Sequence, residues 1–356
     1  ATIYVMSDVE MNQMAWVWEK ELTITSYGVD PVTLSRGENF HTNTDPARQR
    51  YNPAMIEVGG ETEQGTVSSL ILTHIILDDM GKYEGEYFVQ ADSEGDGETT
   101  VSRSEVPNTS IVQDAIIATY NGMGTITLGD GAELHNYGGM SAVRLSGGEL
   151  IMEEGSAILD TTENEREKGA SGSFGPAGAV WLQGGILTMN GGTIGGDKGV
   201  MMNGRALYAD GGTANIGGTI QNIHGTDAAW QGQNGVAVHL RSHGEATLAS
   251  TGEITNVTGT NAGNNCAIWT QFCNFTTKAG SKISHVDGFQ LLYFDDLDNN
   301  NYSHEVYLNG TISECASGSA SLLRSWYGQI TFGPNSVIEN CSSSSAGGLI
   351  YSNNGS

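Results

Sequence analysis

Proline is scarce in this chain: 6 of 356 residues. Basic side chains are scarce too, 15 Lys and Arg against 41 Asp and Glu, a formal charge of −26. Cysteine is limited to 4 residues. No apolar run nears the ~20 residues that span a bilayer, and the first residues do not read as a signal peptide. Each shortage excludes a class. Without abundant proline and glycine at every third position the chain is not collagen-like. Without a basic surface it has nothing to displace counterions from phosphates, so no nucleic-acid partner is expected. The same charge disfavours an anionic membrane. Four cysteines, all among the last hundred residues and without paired short spacings, form neither a disulfide scaffold nor a zinc motif. What the chain does have is glycine, 50 residues, and enough apolar and aromatic material (38% hydrophobic, 6 Trp, 13 Tyr) to rule out disorder.

The glycines punctuate a repeat. One phrase recurs as GAELHN, GSAILD, GGTIGG, GGTIQN, TGEITN, GSKISH, NGTISE and NSVIEN. Its aliphatic anchors are Leu134, Ile158, Ile194, Ile220, Ile254, Ile283, Ile312 and Ile338. A second phrase, out of phase with the first, is centred on Val143, Val180, Leu207, Val238, Ile268, Leu292, Leu323 and Ile350. Both advance about 29 residues per step. A third short strand lies between them, as in GELIMEEG or GILTMNGG. Three short strands per ~29 residues with glycine corners predict one rung of a parallel β-helix, a repeat architecture whose stacked units share a core. Proline is rare because it cannot donate to a strand ladder. Two residues after each first-phrase anchor stand Asn136, Asp160, Gly196, Asn222, Asn256, His285, Glu314 and Asn340, mostly types that suit a left-handed turn position. Residues 1–130 are less regular but carry strand-like stretches, ATIYVM, LTITSY, MIEV, LILTHIIL, FVQA and TITLG, which are expected to form the first rungs. Residues 131–356 hold the regular rungs, and the whole of 1–356 reads as one domain.

The stretches ATIYVMSDVEM, ELTITSYG, TLSRGENF, YNPAMIEV, ILDDMGKYEG and NYGGMSAVRLSGGELIMEEGSAI, followed by GGTI-type rungs, carry a resemblance. The chain resembles the large right-handed β-helix repeat surface proteins of Gram-positive gut bacteria, and more distantly the β-helix of lacto-N-biosidase-type glycosidases. The resemblance implies a right-handed, all-β coil that is a fragment of a larger extracellular protein on a bacterial cell surface. It leaves activity open, because the group mixes adhesin-like proteins with carbohydrate-active enzymes, and no catalytic motif transfers.

The register offers a candidate surface. Side chains alternate along a strand, so the residue after each second-phrase anchor should face outward. That row reads Arg144, Trp181, Tyr208, His239, Trp269, Tyr293, Arg324 and Tyr351, five of eight being Trp or Tyr in a chain that is 8% aromatic. Flat aromatic faces stack on sugar rings or anchor protein interfaces, and Arg recognises carboxylates. The blander alternative is that adjoining loops cover these rings. The longer connections that enter this strand, which carry Phe174 and Trp230, gather on the same side.

Two acidic clusters are candidate sites of other kinds. Asp295, Asp296 and Asp298 follow Tyr293 and suit a paired-carboxylate glycosidase, a calcium loop or a solvated turn. Asp92 and Asp96, in DSEGDGE, mimic part of a calcium loop. Cys315 and Cys341 share one register and are expected in a buried row of small apolar residues, or as a pair able to oxidise. Of the eight histidines only His239 falls on the aromatic row, and no histidine spacing suggests a catalytic metal. Two functions are carried forward. One is a monomeric recognition module that binds a host or mucosal glycan or glycoprotein, with host immunoglobulin among the protein candidates. The other is a β-helix glycoside hydrolase or lyase.

Overall fold

The computed structural model describes residues 1–41, 54–59, 68–80, 86–89, 99–102, 115–137, 141–160, 178–197, 200–225, 234–259, 265–296, 304–318, 320–344 and 348–353. These are all β. Among them no helix is present, and so none is long and apolar enough to cross a membrane. Short strands assemble into two long sheets, of 20 and 16 described strands. Neighbours run parallel in every described pair except Glu86–Val89 with Thr99–Ser102. Parallel pairing follows from the repeat, since equivalent strands are laid down in the same direction one repeat later. Val180–Leu182 pairs with Leu207–Asp210, Ile186–Met189 with Thr213–Ile216, and Thr193–Gly196 with Thr219–His224. The result is a solenoid-like stack.

Both phrases found in the sequence become continuous rows. Leu134, Ile158, Ile194, Ile220, Ile254, Ile283, Ile312 and Ile338 are successive partners across seven strand pairs. Val143, Val180, Leu207, Val238, Ile268, Leu292, Leu323 and Ile350 are likewise consecutive. A third row runs Leu150, Leu187, Ala214, Ala246, Phe275 and Val306. All of these are buried except Ile338 and Ile350, which stand in the last described strands. Burying a Leu or Ile side chain contributes about 1.5–3 kcal/mol. One coil cannot supply that burial for itself, because each anchor needs an anchor above and below. The early strands join the same rows: Ile56 pairs with Ile117, and Ile117 with Val143.

The corners are set by backbone chemistry. Asn136, Asn222, Asn256, His285, Glu314 and Asn340 take φ of 50–54°, the left-handed region in which Asn is favoured. Asn side chains then bond along the stack. Asn256 Nδ2 donates to Asn222 Oδ1 at 2.7 Å, and Asn340 Nδ2 to Glu314 Oε1 at 2.8 Å. Asp160 and Gly196, expected at the same turn position, pair with each other and do not take the left-handed φ. At Gly148 (φ 77°) and Gly212 (φ 86°) a side chain would also strike a carbonyl oxygen of the neighbouring coil, Gly124 O and Gly185 O respectively. Glycine is needed there for close approach as well as for φ.

Candidate functional site

The aromatic row is a ladder in one register. Arg144 pairs with Trp181, Trp181 with Tyr208, Tyr208 with His239, His239 with Trp269, Trp269 with Tyr293, Tyr293 with Arg324 and Arg324 with Tyr351. In-register parallel strands place like positions about 4.8 Å apart, close enough for side chains to touch. Ring centroids accordingly lie 6.4 Å apart for Trp181–Tyr208, 4.9 Å for Tyr208–His239, 4.5 Å for His239–Trp269 and 6.3 Å for Trp269–Tyr293. The Arg324 guanidinium lies 5.1 Å from the Tyr293 ring centroid, 5.2 Å from that of Trp326 and 5.9 Å from that of Tyr351. Apart from Arg324 with Trp326, which share a strand, each of these contacts joins neighbouring coils.

The sequence left two readings of its exposure, an open outward face or rings covered by adjoining loops. Arg144, Trp181, His239 and Tyr293 are buried, and Tyr208, Trp269 and Arg324 are half-buried. Only Tyr351, in the last described strand of the row, is well exposed, at 40%. Stacking accounts for part of this: bulky groups spaced at the strand repeat cover one another's faces, and Tyr351 has no described neighbour on one side. Burial also shows in the charges. Desolvation pushes the Arg144 guanidinium down to about 10, with the Glu57 carboxylate pulling the other way. It raises the Tyr293 phenol, with Asp295 adding to the effect. Yet the ladder keeps polar capacity. The indole N–H groups of Trp181 and Trp269 are buried and make no hydrogen bond to a described residue.

The ladder is longer than the sequence reading had it. Trp16 pairs with Glu57, Glu57 with Ala118 and Ala118 with Arg144. The small Ala118 side chain separates Glu57 from Arg144, and the two charges still interact across it. The signal was present in MIEV, which matches the second phrase with Glu57 in the outward position. Arg205 was also missed. It is buried, lies 5.5 Å over the Tyr208 ring and is pushed down to about 10 by desolvation.

Of the acidic candidates, Asp295 is half-buried beside Tyr293 on the ladder strand Gln290–Asp295. Asp296 is fully buried. Its Oδ1 accepts from His304 Nδ1 at 2.6 Å, and its backbone N–H donates to Trp326 O at 3.0 Å. His304 Nε2 in turn lies 3.2 Å from His243 Nδ1. Neither histidine had been marked by sequence, because 61 residues separate them. Asp298, Asp92, Asp96, Phe174 and Trp230 lie outside the described residues. All four cysteines are free. Cys315 is buried, Cys341 is half-buried, and each stands immediately before one of the paired strands Ala316–Ser317 and Ser342–Ser343. Among the described residues no group of three or more His, Cys, Asp or Glu converges as a metal cage.

Comparison with protein-family models, with curated proteins and with solved structures finds no match.

Proposed function

We propose that the chain is a right-handed parallel β-helix with three strands per rung, serving as a recognition module on the outside of a bacterial cell. Right-handedness rests on the strong bias of parallel crossovers toward that hand. Three strands per rung is supported by the three anchor rows and by pairing one repeat later. The ligand is a host or mucosal glycan or glycoprotein, a host immunoglobulin being one protein of that kind. The module acts as a monomer, and its acidity favours that through self-repulsion.

One observation carries the reading: the unbroken ladder from Arg144 to Tyr351, in which five Trp and Tyr residues share a single register with two arginines and a histidine. Apolar packing alone does not call for two guanidinium groups in such a row. The half-buried and exposed members, Tyr208, Trp269, Arg324 and Tyr351, are the ones that meet ligand. The buried members, Arg144, Trp181, His239 and Tyr293, fix their orientation. Flat Tyr and Trp faces beside a guanidinium suit a ligand that combines sugar rings with carboxylates, as glycans and glycopeptides do.

A glycan array together with capture from mucosal secretions tests this. Wild-type chain should retain a ligand that the combined Tyr208→Ala, Trp269→Ala and Arg324→Ala variant does not. Equal capture by a folded triple variant refutes the assignment. The alternative, a glycoside hydrolase or lyase, is favoured by one observation, the carboxylate of Asp295 beside Tyr293 on the ladder strand. Release of sugar from mucin-type substrates, lost in Asp295→Asn, would establish it instead.

A further inference from the structure

The aromatic ladder is not the only place where side chains from distant coils converge. Asp296, His304 and His243 form a line that the proposed recognition function does not use. Asp296 is fully buried, and a carboxylate can only accept, so the proton of the 2.6 Å contact belongs to His304 Nδ1. That fixes the tautomer. In the neutral ring His304 Nε2 then carries the lone pair, and it lies 3.2 Å from His243 Nδ1. His243 is exposed, so the pair is open to solvent on one side. The corner that presents it is unusual. Ser242 and His243 are consecutive non-glycine residues at φ 54° and 63°, a conformation that costs energy unless the surroundings hold it. The Ser242 hydroxyl, hydrogen-bonded to the Asp210 carboxylate, does part of that holding.

The dimensions match a chelate. A tetrahedral ion bound at about 2.0–2.1 Å sets its nitrogen ligands about 3.3 Å apart. The two nitrogens here are 3.2 Å apart, and the ring centroids are 5.3 Å apart with planes at 32°. The carboxylate behind one imidazole is the usual outer partner of a metal-bound histidine, where it fixes the ring and raises its basicity.

We infer that His243 Nδ1 and His304 Nε2 form a two-histidine site for a divalent transition ion of the imidazole-preferring class, zinc first, with Asp296 orienting His304 from behind. Water fills the remaining positions, because among the described residues no third acidic, thiol or imidazole group joins the pair. The site is therefore open and exchangeable, not a structural staple. It lies off the ladder row and does not depend on the ladder binding anything.

Zinc chloride titrated into the full chain against a chromophoric chelator tests it. One ion should bind per chain. His243→Ala and His304→Ala should each abolish that binding, and Asp296→Asn should weaken it by about 10–100-fold, as loss of an outer-shell partner does. His135→Ala, whose ring is engaged with Glu133 on the same strand of the other sheet, should bind as wild type. Because Asp296 is buried, its variant is read only alongside a wild-type circular dichroism spectrum. His243 is exposed, so its variant keeps the test sound if Asp296→Asn fails to fold. Copper in place of zinc should show imidazole nitrogen couplings in its paramagnetic resonance spectrum. Absence of zinc binding by wild type, or wild-type binding by folded His243→Ala, would mean that the two rings share only an N–H···N hydrogen bond, and the inference falls.

Discussion

Ile254 is the most searching single position for the coil. It sits mid-row between Ile220 and Ile283, fully buried, while its sequence neighbours Glu253 and Thr255 are half-buried on the other face. Truncation to Ala removes three buried carbons at a site where both flanking side chains are fixed by their own strands and cannot collapse into the space. The expected cost is about 2–5 kcal/mol, the range for a large-to-small change in a core. Thr255→Ala removes a half-buried methyl and a hydroxyl contact with Ser284, 2.9 Å away, and should cost about 1 kcal/mol. Because strand side chains alternate, a register one residue out would exchange these two outcomes. Urea unfolding followed by circular dichroism measures both. Since coils contact mainly their neighbours, the loss at Ile254 should also appear as earlier opening of 220–290 in hydrogen exchange. An Ile254→Ala variant that loses no more stability than Thr255→Ala would refute the assigned register and the core built on it.

The turn ladder makes a backbone prediction: Asn256→Val, with a branched side chain at φ 51°, should destabilise by about 1–3 kcal/mol, whereas Asn256→Gly should be close to neutral, as thermal melts will show. The thiols predict a pH dependence. Burial pushes Cys266, Cys273 and Cys315 from 9.0 up to about 12, so in the native chain they should resist a thiol reagent at pH 8 that half-buried Cys341 accepts, and unfolding should expose all four. Folded thiols keep protons that unfolded ones release, so their contribution is intact below pH 9 and is lost as pH rises toward 12. Replacing Cys266 with Ala should flatten that alkaline decline.

Much of the coil was legible because one residue type recurs at one place. A branched aliphatic every ~29 residues needs no long-range information to be aligned, and all eight anchors of each phrase pair as the spacing implies. The left-handed turn was legible for the same reason at Asn136, Asn222, Asn256 and Asn340, and even where His285 and Glu314 fill it. Exposure was not. Alternation tells which face a side chain leaves by but not what its neighbours cover, so the burial of Trp181 and His239 required coordinates. The His243–His304 contact was invisible for a different reason. It joins two corners, where spacing is irregular, and its members have no counterpart in other coils. Glu57 was readable but unread, since its strand had been recognised without being aligned to the ladder.

The central claim is that the half-open part of the ladder binds. Its most direct measurement is the dissociation constant of the captured ligand for wild-type chain and for Trp269→Ala. The account predicts at least a 30-fold weakening, the roughly 2 kcal/mol of an interface hot spot, with an unchanged fold by circular dichroism. A folded Trp269→Ala chain that binds within about twofold of wild type, less than ~0.5 kcal/mol, would contradict it.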